Sequence, residues 1–304
     1  MYKIVILWMT VFAFCLFFCS CGESDKQRKE RVRASQISDS LALKVATLPT
    51  LDCLPVFIAA DKGMYASNGV EVKIIPFNAQ IDCEQALLNK QVECTVTDIF
   101  RAERIKAKDP GAAYITTTGA YWQLISNRKA RITEIRHLSE KMVAMTRYSA
   151  TDYLVNVALD SVRTENNVFR IQINDVNIRL SMLQNNAMDA MMLTEPQATT
   201  ARLAGNPVLM DSRQKSIFPG AFIAAGGLND EHRKKQLETF TKVYNMACDS
   251  INKYGIQHYA DIIKRYCQTD DATVKALPKM LFEHAAQPKA SDLARTKNVK
   301  WRTN

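Results

Sequence analysis

Between Leu43 and Phe100, three strand signals and two helix signals follow one another in strict alternation, and no other stretch restricts the fold so tightly. Leu43–Leu48 is short and apolar, Leu54–Tyr65 has helical apolar spacing, and Val70–Phe77 alternates Val70, Val72 and Ile74 against Glu71, Lys73 and Ile75. Gly63 and Gly69 stand where a helix ends and a turn follows. Asp82-Cys-Glu-Gln85 reads as a capping box opening the second helix. A β-α-β-α-β unit of this kind makes a parallel sheet wrapped by helices, and such sheets bind ligands where strands end and helices begin. Those points are Pro49–Cys53, Asn78–Cys83 and Thr97–Asp98.

The alternation continues. A helix is expected over 98–108, strands over 112–118 and 121–127, and a short helix over 133–140. A second α/β unit follows: strand 142–146, helix 150–163, strand 168–173, helix 175–185, strand 190–193 and helix 196–204. Short strands at 207–210 and 221–225 precede helices over 229–254, 257–266 and 270–284, the first with Leu237, Phe240, Val243, Tyr244 and Ala247 on one face. Residues 288–304 are basic and weakly periodic, with Trp301 as a docking residue or the end simply frayed.

Lys3 precedes an apolar run, Ile4–Phe18, and then Cys-Ser-Cys21-Gly. A run of about 15 residues suits a signal peptide and is short of the roughly 20 a spanning helix needs. The small residues before Cys21 resemble a bacterial lipobox, which implies acylation of that cysteine and a globular domain moored to a membrane leaflet. Residues 1–20 are therefore read as the signal and 21–40, of mixed charge and no apolar period, as a solvated tether.

The 304 residues, 47% hydrophobic, suffice for one large or two medium cores. A formal charge of +9 raises nucleic acid as a partner, but the basic residues are scattered without an aromatic platform and the chain reads as exported. No nucleic-acid partner is expected. Of eight cysteines, Cys53, Cys83, Cys94, Cys248 and Cys267 remain in the domain, an odd number that leaves at least one unpaired. A bridge between Cys248 and Cys267 on successive helices is one reading; Cys53 and Cys83 either bridge, face a ligand or are buried small residues. No CxxC spacing supports a metal, and His137, His232, His258 and His284 fall away from the strand ends, so neither metal nor cofactor is expected. There is no GxSxG, HExxH or P-loop, and 10 glycines leave no phosphate-cradling loop of the usual kind.

The order strand, Leu-Pro, a helix closing on Ala59-Ala60-Asp-Lys-Gly-Met-Tyr65, then Asn68-Gly-Val-Glu-Val72, a helix with Ala86-Leu87-Leu88 and a strand ending Thr97-Asp98 resembles the substrate-binding proteins of ABC importers. Asp189-Ala-Met-Met-Leu-Thr-Glu-Pro196 followed by Ala204-Gly205 is similar to the branch of thiamine-precursor, sulfonate and nitrate receptors. The resemblance implies a type II periplasmic-binding-protein fold of α/β class: two lobes, each a mostly parallel sheet flanked by helices, joined by two hinge crossings. It divides the chain into lobe 1 (41–125 and 219–304, with the C-terminal helices) and lobe 2 (126–218). It also implies a monomeric, non-enzymatic lipoprotein of the bacterial cell envelope that captures a small molecule and hands it to a membrane permease. Rivals are an enzyme on the same scaffold and a sensory receptor without a transporter.

A cleft between such lobes needs converging polar groups and an aromatic wall. From lobe 1 the candidates are Asp52, Cys53, Asn78, Gln80, Asp98, Thr118 and Trp122, although Asp52, Asp82 and Asp98 also read as plain helix caps. Tyr121 and Trp122 are adjacent on a strand, so one of them should face the cleft or hinge. From lobe 2, Ser149 and Thr151 precede a helix whose free N–H groups can hold an anion, with Arg147 beside them; a Ser149–Asp152 capping box is the alternative. The resemblance carries ligand contact onto that loop. Asn174 and Glu195 begin later helices on the same edge, Glu195-Pro196 being also an ordinary helix start. Met188, Met191 and Met192 read as core. Acidic groups on one side and an anion-friendly loop on the other suit a zwitterion or an amino-heterocycle stacked on Trp122 or Tyr148.

Overall fold

The computed structural model describes residues 41–162 and 164–302, so the expected signal, the tether and Cys21 lie outside the described residues. Leu43–Asn304 forms one compact unit. One of its five-stranded sheets contains β1 (Leu43–Thr47), β2 (Val72–Pro76), β3 (Cys94–Asp98), β4 (Ala113–Thr117) and β10 (Gly220–Ala224), in the order β2-β1-β3-β10-β4. The other contains β5 (Gln123–Ser126), β6 (Met142–Met145), β7 (Phe169–Gln172), β8 (Ala190–Leu193) and β9 (Val208–Asp211), in the order β7-β6-β8-β5-β9.

β1 runs parallel to β2 and β3, and β6 runs parallel to β7 and β8. β10 lies antiparallel between β3 and β4, as β5 does between β8 and β9. Both sheets are thus mixed but mostly parallel: in each, four strands run one way and the fourth in order, the one that enters from the other lobe, runs against them. Two crossings, 118–122 and 212–219, join the lobes. Residues 123–125, expected in lobe 1, pair in the second sheet. At the crossings the backbones approach closely: a Cβ on Gly220 would come within 2.2 Å of Thr118 Oγ1 and 2.7 Å of Ala120 Cβ.

Helices α1 (Leu54–Asp61), α2 (Met64–Ser67), α3 (Gln80–Leu88) and α4 (Ile99–Lys108) belong to the first lobe; α5 (Ala150–Asp160), α6 (Val176–Gln184) and α7 (Gln197–Leu203) belong to the second. After β10 come α8 (Glu231–Tyr254), α9 (Ala260–Cys267), α10 (Asp271–Ala276) and α11 (Ala290–Lys297). The face of α8 bearing Phe240, Val243, Tyr244, Ala247, Cys248 and Ile251 is buried in the first lobe's core with Phe57, Leu87, Val96 and Phe222. Strand alternation divides the second lobe's core: Leu124, Met145 and Met192 pack on one side of the sheet, Ile125, Ala144 and Met191 on the other.

Several boundaries differ from expectation. α3 begins at Gln80, not at Asp82, because Ala79 is held extended by a bridge to Asp175 of the other lobe. The helix expected over 270–284 stops at Ala276: Pro278 forces Leu277 into an extended conformation (ψ 135°). Gly255, at φ 81°, separates α8 from a 3-10 turn (Ile256–Tyr259) that leads into α9. The segment over 133–140 makes only a 3-10 turn, Ile135–Leu138. Residues 290–297 are helical, and Trp301 is docked against the Ile99–Phe100 cluster.

The candidate ligand face between the lobes

The carboxyl ends of β1, β2 and β3 meet the corresponding ends of the second sheet through direct hydrogen bonds. Leu51 N donates to Glu195 O at 2.9 Å, Val176 N to Asn78 O at 3.1 Å, Gln197 Nε2 to Pro49 O at 2.8 Å and Arg101 Nη1 to Arg147 O at 3.3 Å. The helix starts singled out in the sequence therefore face one another.

At the first lobe's side, Asp98 caps α4, its Oδ1 accepting from Phe100 N and Arg101 N, both at 3.0 Å. Its Oδ2 is buried without a hydrogen bond of good geometry, while the Ala150 N–H at the start of α5 and the Gln80 side chain approach the carboxyl. Burial raises the Asp98 pKa; the Arg101 N–H, the Arg101 charge, Ala150 N–H and Gln80 pull it back. The helix N-terminus expected to hold a ligand anion thus meets the protein's own carboxylate across the interface. Asp52 is buried and accepts from Thr50 Oγ1 at 2.5 Å, and desolvation raises its pKa as well. Asn78 contributes its carbonyl to the contact with Val176, and its residue is exposed. Thr118 is buried at the crossing, its hydroxyl accepting from Ala120 N.

Cys53 and Trp122 are not gathered here. Cys53 is fully buried in the first lobe's core, and Trp122 packs into the second lobe's core. Tyr121 is the aromatic residue at the hinge: its hydroxyl donates to Glu195 Oε1 at 2.7 Å and the Arg213 guanidinium lies 3.9 Å from its ring centroid. Cys83, Cys94, Cys248 and Cys267 are likewise buried, and all five thiols are free, so neither suggested bridge forms. Desolvation pushes the Cys83 and Cys248 thiols up to about 12.

In the second lobe, Ser149 caps α5 by accepting from Thr151 N, donates to Thr146 O at 2.7 Å and lies 2.8 Å from Thr151 Oγ1. Thr151 Oγ1 accepts from Thr146 N. The capping box does not close: Asp152 accepts from Tyr148 N at 3.0 Å and pairs with Arg170 at 2.7 Å. Arg147 is half-buried, and Asn174 accepts from Gln172 Nε2. The Glu195 carboxylate is saturated by Tyr121, Thr199 and Arg202, leaving its carbonyl to cross the interface; Glu195-Pro196 is a cis peptide.

Five residues outside the candidate set belong to this face. Thr97 Oγ1, Arg101 Nε and Gln197 Oε1 are buried polar atoms with no hydrogen-bond partner. Thr146 and Tyr121 complete the polar lining. Thr97 lies at a strand end marked in the sequence and Tyr121 in the pair of which one was expected at the hinge, whereas Arg101, Thr146 and Gln197 carry no sequence signal of such a role, because only the pairing of lobes buries them.

The C-terminal segment bridges the same interface from one flank. α11 packs on α4, and beyond it Val299 and Trp301 join Ile99 and Phe100 of the first lobe to Ala150 and Tyr153 of the second. Trp301 meets Phe100 and Tyr148 edge-on, with centroids 5.9 and 5.6 Å apart. Asn156 Nδ2 donates to Lys300 O at 3.1 Å, and Arg302 pairs with Asp160. Tyr148 therefore lies at the outer rim, with Arg104 over its ring. A groove of about 720 Å³ lies at the hinge, lined by Thr118, Tyr121, Arg213, Phe218, Leu281 and Arg295 among others. A smaller one of about 290 Å³ lies between Asn177, Gln197 and Thr200 on one side and Cys267, Asp270 and Thr273 on the other. Among the described residues no three His, Cys, Asp or Glu side chains group as a metal site, and no helix is long and apolar enough to cross a membrane.

The profile described as "NMT1/THI5 like" matches residues 50–262. Among curated proteins, none matches the chain significantly. Solved structures do. The alkanesulfonate-binding protein of Xanthomonas axonopodis pv. citri, bound to MOPS, superposes with a TM-score of 0.69 at 13% identity, covering 84% of this chain and 90% of that one. The periplasmic aliphatic sulphonate-binding protein of Escherichia coli gives 0.66 at 14% identity, over 84% of each. The periplasmic nitrate-binding protein of Synechocystis gives 0.66 at 14%, over 77% and 68%. At these identities the likeness is one of fold: the two-lobed periplasmic-binding-protein architecture.

Proposed function

The chain belongs to the NMT1/THI5-like family, and from that premise we propose that it is the solute-binding lipoprotein of an ABC import system. In this reading Cys21, acylated, moors the domain outside the cytoplasmic membrane. The monomeric domain captures a small solute between its lobes and delivers it to a membrane permease, without covalent chemistry.

The observation that carries the reading is where the unsatisfied groups lie. Buried polar atoms are nearly always hydrogen-bonded, and each exception calls for a partner. Of the seven such atoms among the described residues, Tyr65 Oη, Arg179 Nε and Arg295 Nε lie elsewhere, while Thr97 Oγ1, Asp98 Oδ2, Arg101 Nε and Gln197 Oε1 belong to residues at the ends of elements where lobe faces lobe. A solute entering between the lobes satisfies them and replaces lobe-to-lobe hydrogen bonds with bridging ones, so the closed form is favoured by binding. Asp98, Gln80, Thr118, Ser149, Thr151 and Arg147 remain the proposed contacts from the helix starts and hinge. Asp52, Asn78, Asn174 and Glu195 support them through local hydrogen bonds. A ligand with N–H donors fits the Thr97–Asp98 side.

The test is isothermal titration or thermal shift against aminopyrimidines, thiamine analogues, sulfonates, nitrate and amino acids. Saturable one-to-one binding without turnover is expected. No binder, together with product formation from any of these compounds, overturns the reading in favour of an enzyme.

A further inference from the structure

Arg179 is the one buried arginine of the second lobe for which no carboxylate partner is found among the described residues. It lies on α6, 4% exposed. Its Nη1 donates to Met192 O at 3.1 Å, and its Nε has no partner. Three other arginines near the interface are matched, Arg101 with Glu84, Arg170 with Asp152 and Arg202 with Glu195, while the half-buried Arg147 has no carboxylate partner among the described residues. The nearest acidic residue along the helix, Asp175, spends its Oδ1 on capping α6 through Asn177 N and Ile178 N. Burial lowers the Arg179 pKa to about 10, with Asp175 opposing, which still leaves it charged at neutral pH.

Both anchor points of this side chain lie close to the lobe interface. Arg179 is three residues into a helix whose first N–H, from Val176, bonds to Asn78 O of the first lobe. Met192 lies three residues before Glu195, whose carbonyl accepts from Leu51 of the first lobe. A charge buried without a counter-ion costs far more than it returns through one carbonyl, and a well-packed apolar residue of similar length removes that cost. Retaining it here makes sense if the counter-ion arrives with the solute.

We infer that Arg179 is a specificity-determining residue of the second lobe, a charge held in reserve beneath the interface for the oxyanion group of the bound solute, a carboxylate, sulfonate or nitrate. The inference rests on the solute-binding reading above. It places a cation on the second lobe, and so favours solutes with an anionic end over purely cationic or neutral ones. Its chemistry is that of a planar donor fork matching an oxyanion.

The experiment compares full-chain wild type with Arg179→Met after unfolding and refolding to strip bound solute. In the first arm, thermal unfolding without added solute, the Arg179→Met protein has a Tm equal to wild type or higher by about 2–4 °C. A fall in Tm beyond measurement error overturns the inference, since it marks the arginine as a structural tie for Met192. In the second arm MOPS, taurine, glycine and nitrate are titrated, together with an aminopyrimidine and thiamine as solutes without an oxyanion. The expected result is at least a tenfold rise in Kd in Arg179→Met for whichever probe wild type binds; an unchanged Kd overturns it. Wild type that binds only neutral or cationic solutes also overturns it and leaves the receptor reading standing. Wild type that binds no solute of any charge counts against the receptor reading, and the first arm then judges Arg179 alone.

Discussion

Removing the indole of Trp301 should open the lobes before it unfolds the protein. Truncating a fully buried tryptophan to alanine costs about 3–5 kcal/mol. Trp301 is half-buried, so about 2 kcal/mol of total stability is expected. Part of this is shared only with the first lobe, through Phe100. The edge-on pair with Tyr148 crosses to the second lobe, and an aromatic pair of that kind contributes about 0.5–1.5 kcal/mol. About 1 kcal/mol is therefore withdrawn from the closed form specifically, which shifts the closed-to-open ratio about fivefold. The neighbouring Arg302–Asp160 pair is well exposed and compensates little. The assay is energy transfer between dyes on Lys62→Cys and Lys129→Cys, both exposed, one in each lobe, in protein lacking residues 1–21; the five cysteines of the domain are buried and resist labelling. Trp301→Ala should increase the low-transfer population about fivefold without added solute. An unchanged distance distribution, with a lowered Tm, would refute the reasoning and make the segment a buttress of the first lobe only.

Three further outcomes are expected from the packing. Gly220→Ala places a methyl within 2.2 Å of Thr118 Oγ1 at the crossing and should cost about 1–3 kcal/mol in urea unfolding, partly recovered by adding Thr118→Ala; a neutral Gly220→Ala contradicts the close approach. Asp152→Ala removes the carboxylate from the buried Arg170, which keeps its bond to Asn156, and should cost about 3–5 kcal/mol, while the double variant Asp152→Ala, Arg170→Met recovers much of the loss, as a double-mutant cycle will read. Asp52 has a folded pKa raised above its ordinary 3.8, chiefly by burial, so the native state holds its proton more tightly than the unfolded chain and stability is lost as pH rises from 3.8 through the folded value. Asp52→Asn should therefore raise Tm at pH 7 and lose that advantage as pH falls toward 3.8; an advantage independent of pH contradicts the assignment.

The β-α alternation is legible in the sequence because buried strands and amphipathic helices each leave a period, and the strand ends follow from it. Long-range matters leave no such trace. Asp82 looks like a cap because Glu84 and Gln85 follow it, yet the position of α3 is set by Ala79 bonding to the other lobe. Glu195 looks free at a helix start, but Tyr121 and Arg202, distant in the chain, saturate its carboxylate. Adjacency on a strand makes Tyr121 and Trp122 point opposite ways; which of them faces the hinge depends on packing against Leu124 and Met145. The tail from Pro288 has little period of its own and becomes helical where α4 supports it. Arg179, unremarkable in a helix of mixed polarity, acquires meaning only from its burial in the folded lobe.

The most direct test is a crystal structure of the protein as isolated from cells that express it, with its solute retained. The account predicts one small molecule enclosed between the lobes, within hydrogen-bonding distance of Asp98 or Thr97 on one side and of the Thr146–Thr151 loop or Arg179 on the other. A solute bound outside this face, in the hinge groove beside Arg213 and Phe218 with the interlobe hydrogen bonds intact, would contradict it.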